Sequence, residues 1–134
     1  MDVCGFPKNI YYYYKSWWTD EDVIHISPHW NWNEKIGQPI EVWVNSNADD
    51  VELFLNGKSL GKKTMPRNSH LKWEVTYEPG TLEAIGYKKG KKISTKVETT
   101  STPYKVIATT EKNILTADGK DATVVNISIV DEKG

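Results

Sequence analysis

The sequence predicts an all-β protein: an immunoglobulin-like antiparallel β-sandwich preceded by one short helix. Three observations carry this reading. Between residues 23 and 100 short runs alternate apolar with polar side chains and are separated by turn residues. Asn56-Gly57 lies between two such runs, and that dipeptide is a strong hairpin signal because both residues tolerate positive φ. No helical pattern alternates with the strands, which argues against a parallel α/β sheet. About seven short strands at close spacing are what an immunoglobulin-like sandwich requires.

The elements follow in order. Residues 9–18 form about two and a half helical turns at 3.6 residues per turn, with Asn9 as the candidate N-cap. This helix carries Tyr11, Tyr12, Tyr13, Tyr14, Trp17 and Trp18 around most of its circumference. A helix apolar all round is normally buried on several sides, so a covering partner is expected. Val23 to Trp32 is the first extended run, with Pro28 limiting it to an edge, a kink or a bulge. Ile40 to Asn45 sets Ile40, Val42 and Val44 against Glu41, Trp43 and Asn45. Val51 to Leu55 places Val51, Leu53 and Leu55 on one face, and Lys58 to Lys62 is its return strand after Asn56-Gly57. Leu71 to Tyr77, Thr81 to Tyr87 and Ile93 to Thr99 complete the set, separated by Glu78-Pro79-Gly80 and Lys89-Gly90. Thr100 to Pro103 reads as a linker. Tyr104 to Thr109 and Ala122 to Val130 are two further strands, too few to close a sandwich of their own.

Composition excludes several function classes. The 134 residues carry 17 basic and 18 acidic side chains, a net charge of −1, which gives no electrostatic reason to bind nucleic acid or an anionic membrane. No apolar run reaches the ~18–20 residues of a membrane span. Cys4 is the single cysteine, so no internal disulfide is expected. His25 and His29 sit four apart in an extended context broken by Pro28, with no third ligand at a recognisable spacing, so no metal site is expected. Asp20-Glu21-Asp22 reads as a solvated helix exit and not as an acid/base pair. No phosphate loop or dinucleotide fingerprint is present, and no cofactor is implied. Asn126-Ile127-Ser128 is a formal glycosylation sequon.

Trp30, Trp32, Trp43 and Trp73 leave two roles open. Exposed tryptophans stack on the apolar faces of sugar rings, whereas buried ones serve the core or a domain interface; the high average burial of Trp favours the second. Trp30 and Trp32, two apart, are expected to share one face of an extended strand.

The segment with Asp2, Cys4 to Asn9, Tyr11-Tyr12, Tyr14 to Ser16 and Trp18 to Asp20 resembles glycoside hydrolase family two, more narrowly the β-galactosidase-type enzymes of gut Bacteroidetes. His29 to Trp32, Val51 to Gly61, Glu78 to Ala84 and Gly86-Tyr87 are similar to the immunoglobulin-like domain that follows the catalytic barrel in that family. The resemblance implies that residues 1–22 are the tail of a (β/α)8 barrel, its last helix, that residues 23–100 are the accessory sandwich, and that residues 101–134 are a linker and the start of a second domain. For the last, Ala117-Asp118-Gly119 and Asp131 to Gly134 resemble the opening of bacterial immunoglobulin-like domains. It further implies a parent that hydrolyses terminal β-galactosides or related β-glycosides by retention, using two glutamates that no residue here matches. No catalytic residue is therefore expected in this chain. Asp2 is a candidate for the rim of the active site, since barrel sites lie at the carboxyl ends of the strands; Trp30, Trp32 and Trp43 are the candidates for substrate contact. The expected partner is the rest of the parent enzyme, with self-association through the aromatic helix as a second possibility, in a periplasmic or secreted setting. The expected role is structural, and the alternative is a carbohydrate-binding module using exposed tryptophans.

Overall fold

A computed structural model describes Asp2 and residues 5–134; Cys4 lies outside the described residues. The chain forms two compact units, residues 1–99 and 100–134.

In the first unit a helix, α1 (Asn9–Trp18), precedes seven strands: β1 (Ile24–Ser27), β2 (Pro39–Ser46), β3 (Asp50–Leu55), β4 (Lys58–Thr64), β5 (Leu71–Thr76), β6 (Thr81–Lys88) and β7 (Lys91–Glu98). The strands make two antiparallel sheets, ordered β1-β2-β5 and β4-β3-β6-β7. Their period-2 faces meet: Ile26, Ile40, Val42, Val44, Leu71, Trp73 and Val75 from one sheet bury against Val51, Leu53, Leu55, Leu82 and Ala84 from the other. The fold is thus the expected all-β antiparallel sandwich with one short helix.

Local chemistry explains the turns. Asn56 and Gly57 both take positive φ, +50° and +80°, and Leu55 pairs directly with Lys58, as a two-residue hairpin requires. The Asn56 side chain also ties this hairpin to the β5–β6 turn: its Oδ1 accepts from the Thr81 N–H at 2.9 Å and its Nδ2 donates to the Pro79 carbonyl at 3.2 Å. The register of β3 and β4 shifts between Glu52 and Phe54, a bulge at the sheet edge.

Two local expectations are corrected. The run from Val23 does not stay extended to Trp32, because the strand ends at Ser27, before Pro28, and a 3₁₀ turn follows at Asn33–Lys35. Trp30 and Trp32 therefore do not share a strand face. Asn9 is not the N-cap. Lys8 occupies that position without a side-chain cap, and Asn9 is the first helical residue, its Oδ1 lying 3.0 Å from His25 Nε2.

The second unit is a two-stranded antiparallel ladder, β8 (Lys105–Thr110) with β9 (Val125–Val130). Val106, Ile127 and Ile129 are all exposed, and Val106 pairs with Ile129. The Asp118 carboxylate accepts from the backbone N–H groups of Lys120 and Asp121, which closes the turn of the connecting segment.

Candidate functional site

The site is built where α1 crosses β1 and β2. Aromatic residues are only moderate helix formers, and a helix this short is marginal alone. Tertiary contacts hold it. Tyr12 stacks on His25 with ring centres 3.7 Å apart, the Tyr13 hydroxyl donates to the Asn68 carbonyl at 2.8 Å, and Trp17 Nε1 donates to the Ser69 carbonyl at 3.1 Å. Small Ser16, buried, lets the helix approach the sheet. The helix is thus two-faced and not apolar all round. Tyr11, Tyr14 and Trp18 turn away from the sandwich, Ile10 and Phe6 are also exposed, and Trp18 is 78% exposed. Tyr14 and Trp18 pack on each other, ring centres 4.6 Å apart.

The helix exit is held by charge. Lys15 pairs with Glu21 at 2.7 Å, and Asp22 bridges Lys88 and Lys91. Hydrogen bonds from these two lysines hold the Asp22 carboxyl below its ordinary range. Burial pushes the His25 imidazole below its ordinary range. His29 Nδ1 accepts the Asn31 N–H, and its ring stacks on Trp32. No cluster of three or more metal-ligating side chains occurs among the described residues, and no helix among them is long and apolar enough to cross a membrane.

The sequence-derived candidates separate widely. Trp30 is wholly buried, donates Nε1–H to the Glu78 carbonyl at 3.0 Å and meets Tyr77 edge-to-face at 5.0 Å. Trp32 lies partly buried against the core, its Nε1–H on the His29 carbonyl and the Lys35 ammonium 4.5 Å from its ring centre. Trp73 is buried, with the Lys63 ammonium 4.8 Å from its ring centre. Asp2 is engaged locally: its Oδ1 accepts the Phe6 N–H at 2.9 Å. Trp43 alone of the four candidates is substantially exposed, at 38%. Its Nε1 donates to Glu41 Oε1 at 2.6 Å, His70 stacks on its ring at 4.3 Å, and the Lys72 ammonium lies 4.5 Å from its centre.

Trp43 borders an open groove of about 530 Å³ between α1 and the β1-β2-β5 sheet. Asn9, Ile10 and Tyr13 line it from the helix; Trp43, Asn45, Asn68, Ser69 and His70 line it from the sheet and the loop before β5. Sequence reasoning singled out Trp43 but missed Asn45, Asn68 and His70. The available signal was Asn45 two places from Trp43, hence on the same strand face, where a polar residue buried behind an aromatic implies a covering element.

Comparison with known proteins agrees along the whole chain. Residues 37–94 match a family described as a domain of unknown function (DUF4982). The chain is 47% identical to a β-galactosidase of Bacteroides ovatus and 44% identical to a putative β-glucuronidase of Formosa agariphila, matching over its full length in both cases while spanning only 16% and 13% of theirs. Among solved structures, a β-glycosidase from Bacteroides vulgatus superposes with a TM-score of 0.89 at 36% identity, covering all of this chain and 17% of that one. A glycosyl hydrolase family 2 member from Bacteroides cellulosilyticus gives 0.93 at 31%, covering all of this chain and 21% of that one. Sequence and fold together make the chain similar to a small segment of longer glycosidases, among them members of glycoside hydrolase family 2.

Proposed function

We propose that this chain is a non-catalytic accessory segment of a larger family 2 glycosidase, one acting on terminal β-galactosides or related β-glycosides. On this reading residues 1–22 are the last helix of the catalytic barrel, residues 23–100 an immunoglobulin-like sandwich docked beside it, and residues 101–134 a linker and the first strands of a further domain. The strand order β1-β2-β5 over β4-β3-β6-β7 supports the immunoglobulin-like assignment, with β4 in the place of the additional strand beside the C, F and G strands.

The observation that carries the reading is the outward face of α1. Ile10, Tyr11, Tyr14 and Trp18 expose apolar rings and chains on an element whose inner face is already hydrogen-bonded and packed. A contiguous apolar patch of this kind marks an interaction surface. The relatives named above are β-galactosidases and β-glucuronidases several times longer than this chain, which supports a catalytic domain as the partner. Asp2 and Phe6, fixed to each other by paired hydrogen bonds just before α1, then sit in the turn that leads from the barrel into the helix.

Retaining hydrolysis needs two carboxyl groups about 5–5.5 Å apart across the scissile bond. Asp22, Asp50 and Glu21 instead pair with lysines, and Glu52 accepts from Ser59. The purified chain is expected to leave nitrophenyl β-galactoside and β-glucuronide intact. Hydrolysis that persists through purification and disappears on substituting a single carboxylate would refute the non-catalytic reading.

A further inference from the structure

Asn56-Gly57 makes the β3–β4 turn, and it also carries a latent reaction. It is the one Asn-Gly pair in the sequence, and Asn56 is exposed to water. Glycine has no side chain to shield its backbone nitrogen, so an asparagine before it is open to attack on its own amide carbon. The deprotonated Gly57 nitrogen bonds to Asn56 Cγ while the Cγ–Nδ2 bond breaks, and the displaced proton leaves with that nitrogen as ammonia. The product is a succinimide ring. Water then opens the ring at either carbonyl. One opening leaves an ordinary aspartate at position 56; the other leaves isoaspartate, in which the main chain runs through the side-chain carbons. Water is the only co-reactant, and no electrons change hands.

The folded hairpin opposes the first step. Ring closure requires Asn56 Cγ to swing onto the Gly57 nitrogen, and both ends of the amide are held elsewhere. Oδ1 accepts from the Thr81 N–H at 2.9 Å, and Nδ2 donates to the Pro79 carbonyl at 3.2 Å. The Asn56 N–H donates to the Thr81 carbonyl at 2.8 Å. Gly80 sits so close to the amide that a Cβ there would lie 1.9 Å from Oδ1. Positive φ at both turn residues and the direct pairing of Leu55 with Lys58 restrict the backbone rotation that closure also needs. Since the group is exposed, this protection comes from conformation and not from burial. It ends whenever the hairpin opens away from the β5–β6 turn.

We propose that Asn56 is a deamidation site that the folded domain keeps silent and unfolding exposes, so that loss of its amide is a one-way mark of time spent open. Neither product restores the turn. An aspartate carboxylate only accepts, so the Pro79 carbonyl loses its donor and meets a negative charge. Isoaspartate lengthens the backbone of a two-residue loop whose length sets the β3–β4 register. The inference does not rest on the accessory role of the chain.

The test incubates the full chain at mildly alkaline pH, folded in buffer and unfolded in guanidinium chloride, and maps peptides by mass spectrometry for a gain of about 1 Da at position 56. Opening is fast beside this chemistry, so the rate follows the open population. The unfolded chain should deamidate at Asn56 at least about tenfold faster than the folded one. Asn56→Gln, whose longer side chain closes a ring less readily, should lose most of the gain in guanidinium. Gly80→Ala keeps the Asn-Gly pair but displaces the held amide. Well below its melting midpoint it should deamidate at least about fivefold faster than the folded parent. Asn56→Asp, which reproduces the first product, should melt below the parent. Equal rates in the folded and unfolded parent, a mass gain that maps elsewhere, or an Asn56→Asp variant that melts no lower would overturn the proposal. So would a folded Gly80→Ala chain that deamidates no faster than the parent.

Discussion

Trp30 is where the sandwich is most exposed to a single substitution. The residue is fully buried, its indole N–H bonds the Glu78 carbonyl, its ring meets Tyr77 edge-on, and its own carbonyl accepts from Thr99 Oγ1 at 2.7 Å. The Tyr77 hydroxyl in turn lies 3.1 Å from the same Thr99 oxygen. Truncating a core tryptophan to alanine costs about 3–5 kcal/mol in transfer and cavity terms. The orphaned Glu78 carbonyl adds about 1 kcal/mol unless water reaches it. A domain of this size has about 5–15 kcal/mol in total, so Trp30→Ala should remove about a quarter of it or more. Trp30→Phe keeps most of the ring and loses the donor, and should cost about 1–3 kcal/mol. Trp18→Ala, at a position 78% exposed, should fall within about 0.5 kcal/mol of the parent. Urea unfolding followed by circular dichroism measures all three without relying on tryptophan emission. A Trp30→Ala variant within about 1 kcal/mol of the parent would refute the placement of Trp30 in the core and the packing argument with it.

Further expectations rest on turns and titrating groups. Gly57→Val puts a β-branched residue at φ +80° and should lower stability by about 1–3 kcal/mol in the same assay. Gly80→Ala has φ +139° and brings a new Cβ within 1.9 Å of Asn56 Oδ1, so the Asn56 bridge to Thr81 and Pro79 must break; melting should fall, and in an Asn56→Ala background the same change should cost less, the backbone strain at position 80 alone remaining. His25 has its folded pKa depressed by burial, so its contribution is present above about pH 6.5, the ordinary value, and is lost as pH falls towards the folded value. His25→Phe keeps a ring against Tyr12 and should flatten stability in that window. The Asp22 carboxyl, depressed by Lys91 and Lys88, contributes above about pH 3.9 and loses that contribution as pH falls through its lowered value; Asp22→Asn should flatten only the acid end of the profile.

Much of the fold was legible because its signals are local. The alternation of Ile40, Val42 and Val44 reports a face of β2 directly, and Asn56-Gly57 reports its own turn through φ. Two of the errors near the N-terminus came from tertiary contacts overriding propensity. Asn9 is a good cap residue, but His25 offers its side chain a partner across the helix–sheet contact. The aromatic helix read as apolar all round because a helical wheel does not reveal that tyrosine and tryptophan polar tips reach the Asn68 and Ser69 carbonyls. The groove was illegible for a similar reason: Asn9, Asn45 and Asn68 are far apart in sequence and meet only when α1 crosses β2. Asn68, at φ +54°, belongs to a loop whose path no periodicity encodes.

The claim that α1 docks against a catalytic domain is tested most directly in a chimera. The matching segment of the Bacteroides ovatus β-galactosidase is replaced by this chain, and Tyr14→Asp with Trp18→Asp is introduced both there and in the chain alone. These side chains face outward, so the chain alone should melt nearly unchanged, whereas burying two carboxylates at an apolar interface should cost the chimera several kcal/mol and with it thermal stability and β-galactosidase activity. A chimera whose melting and activity are untouched by the double substitution would contradict the docking account.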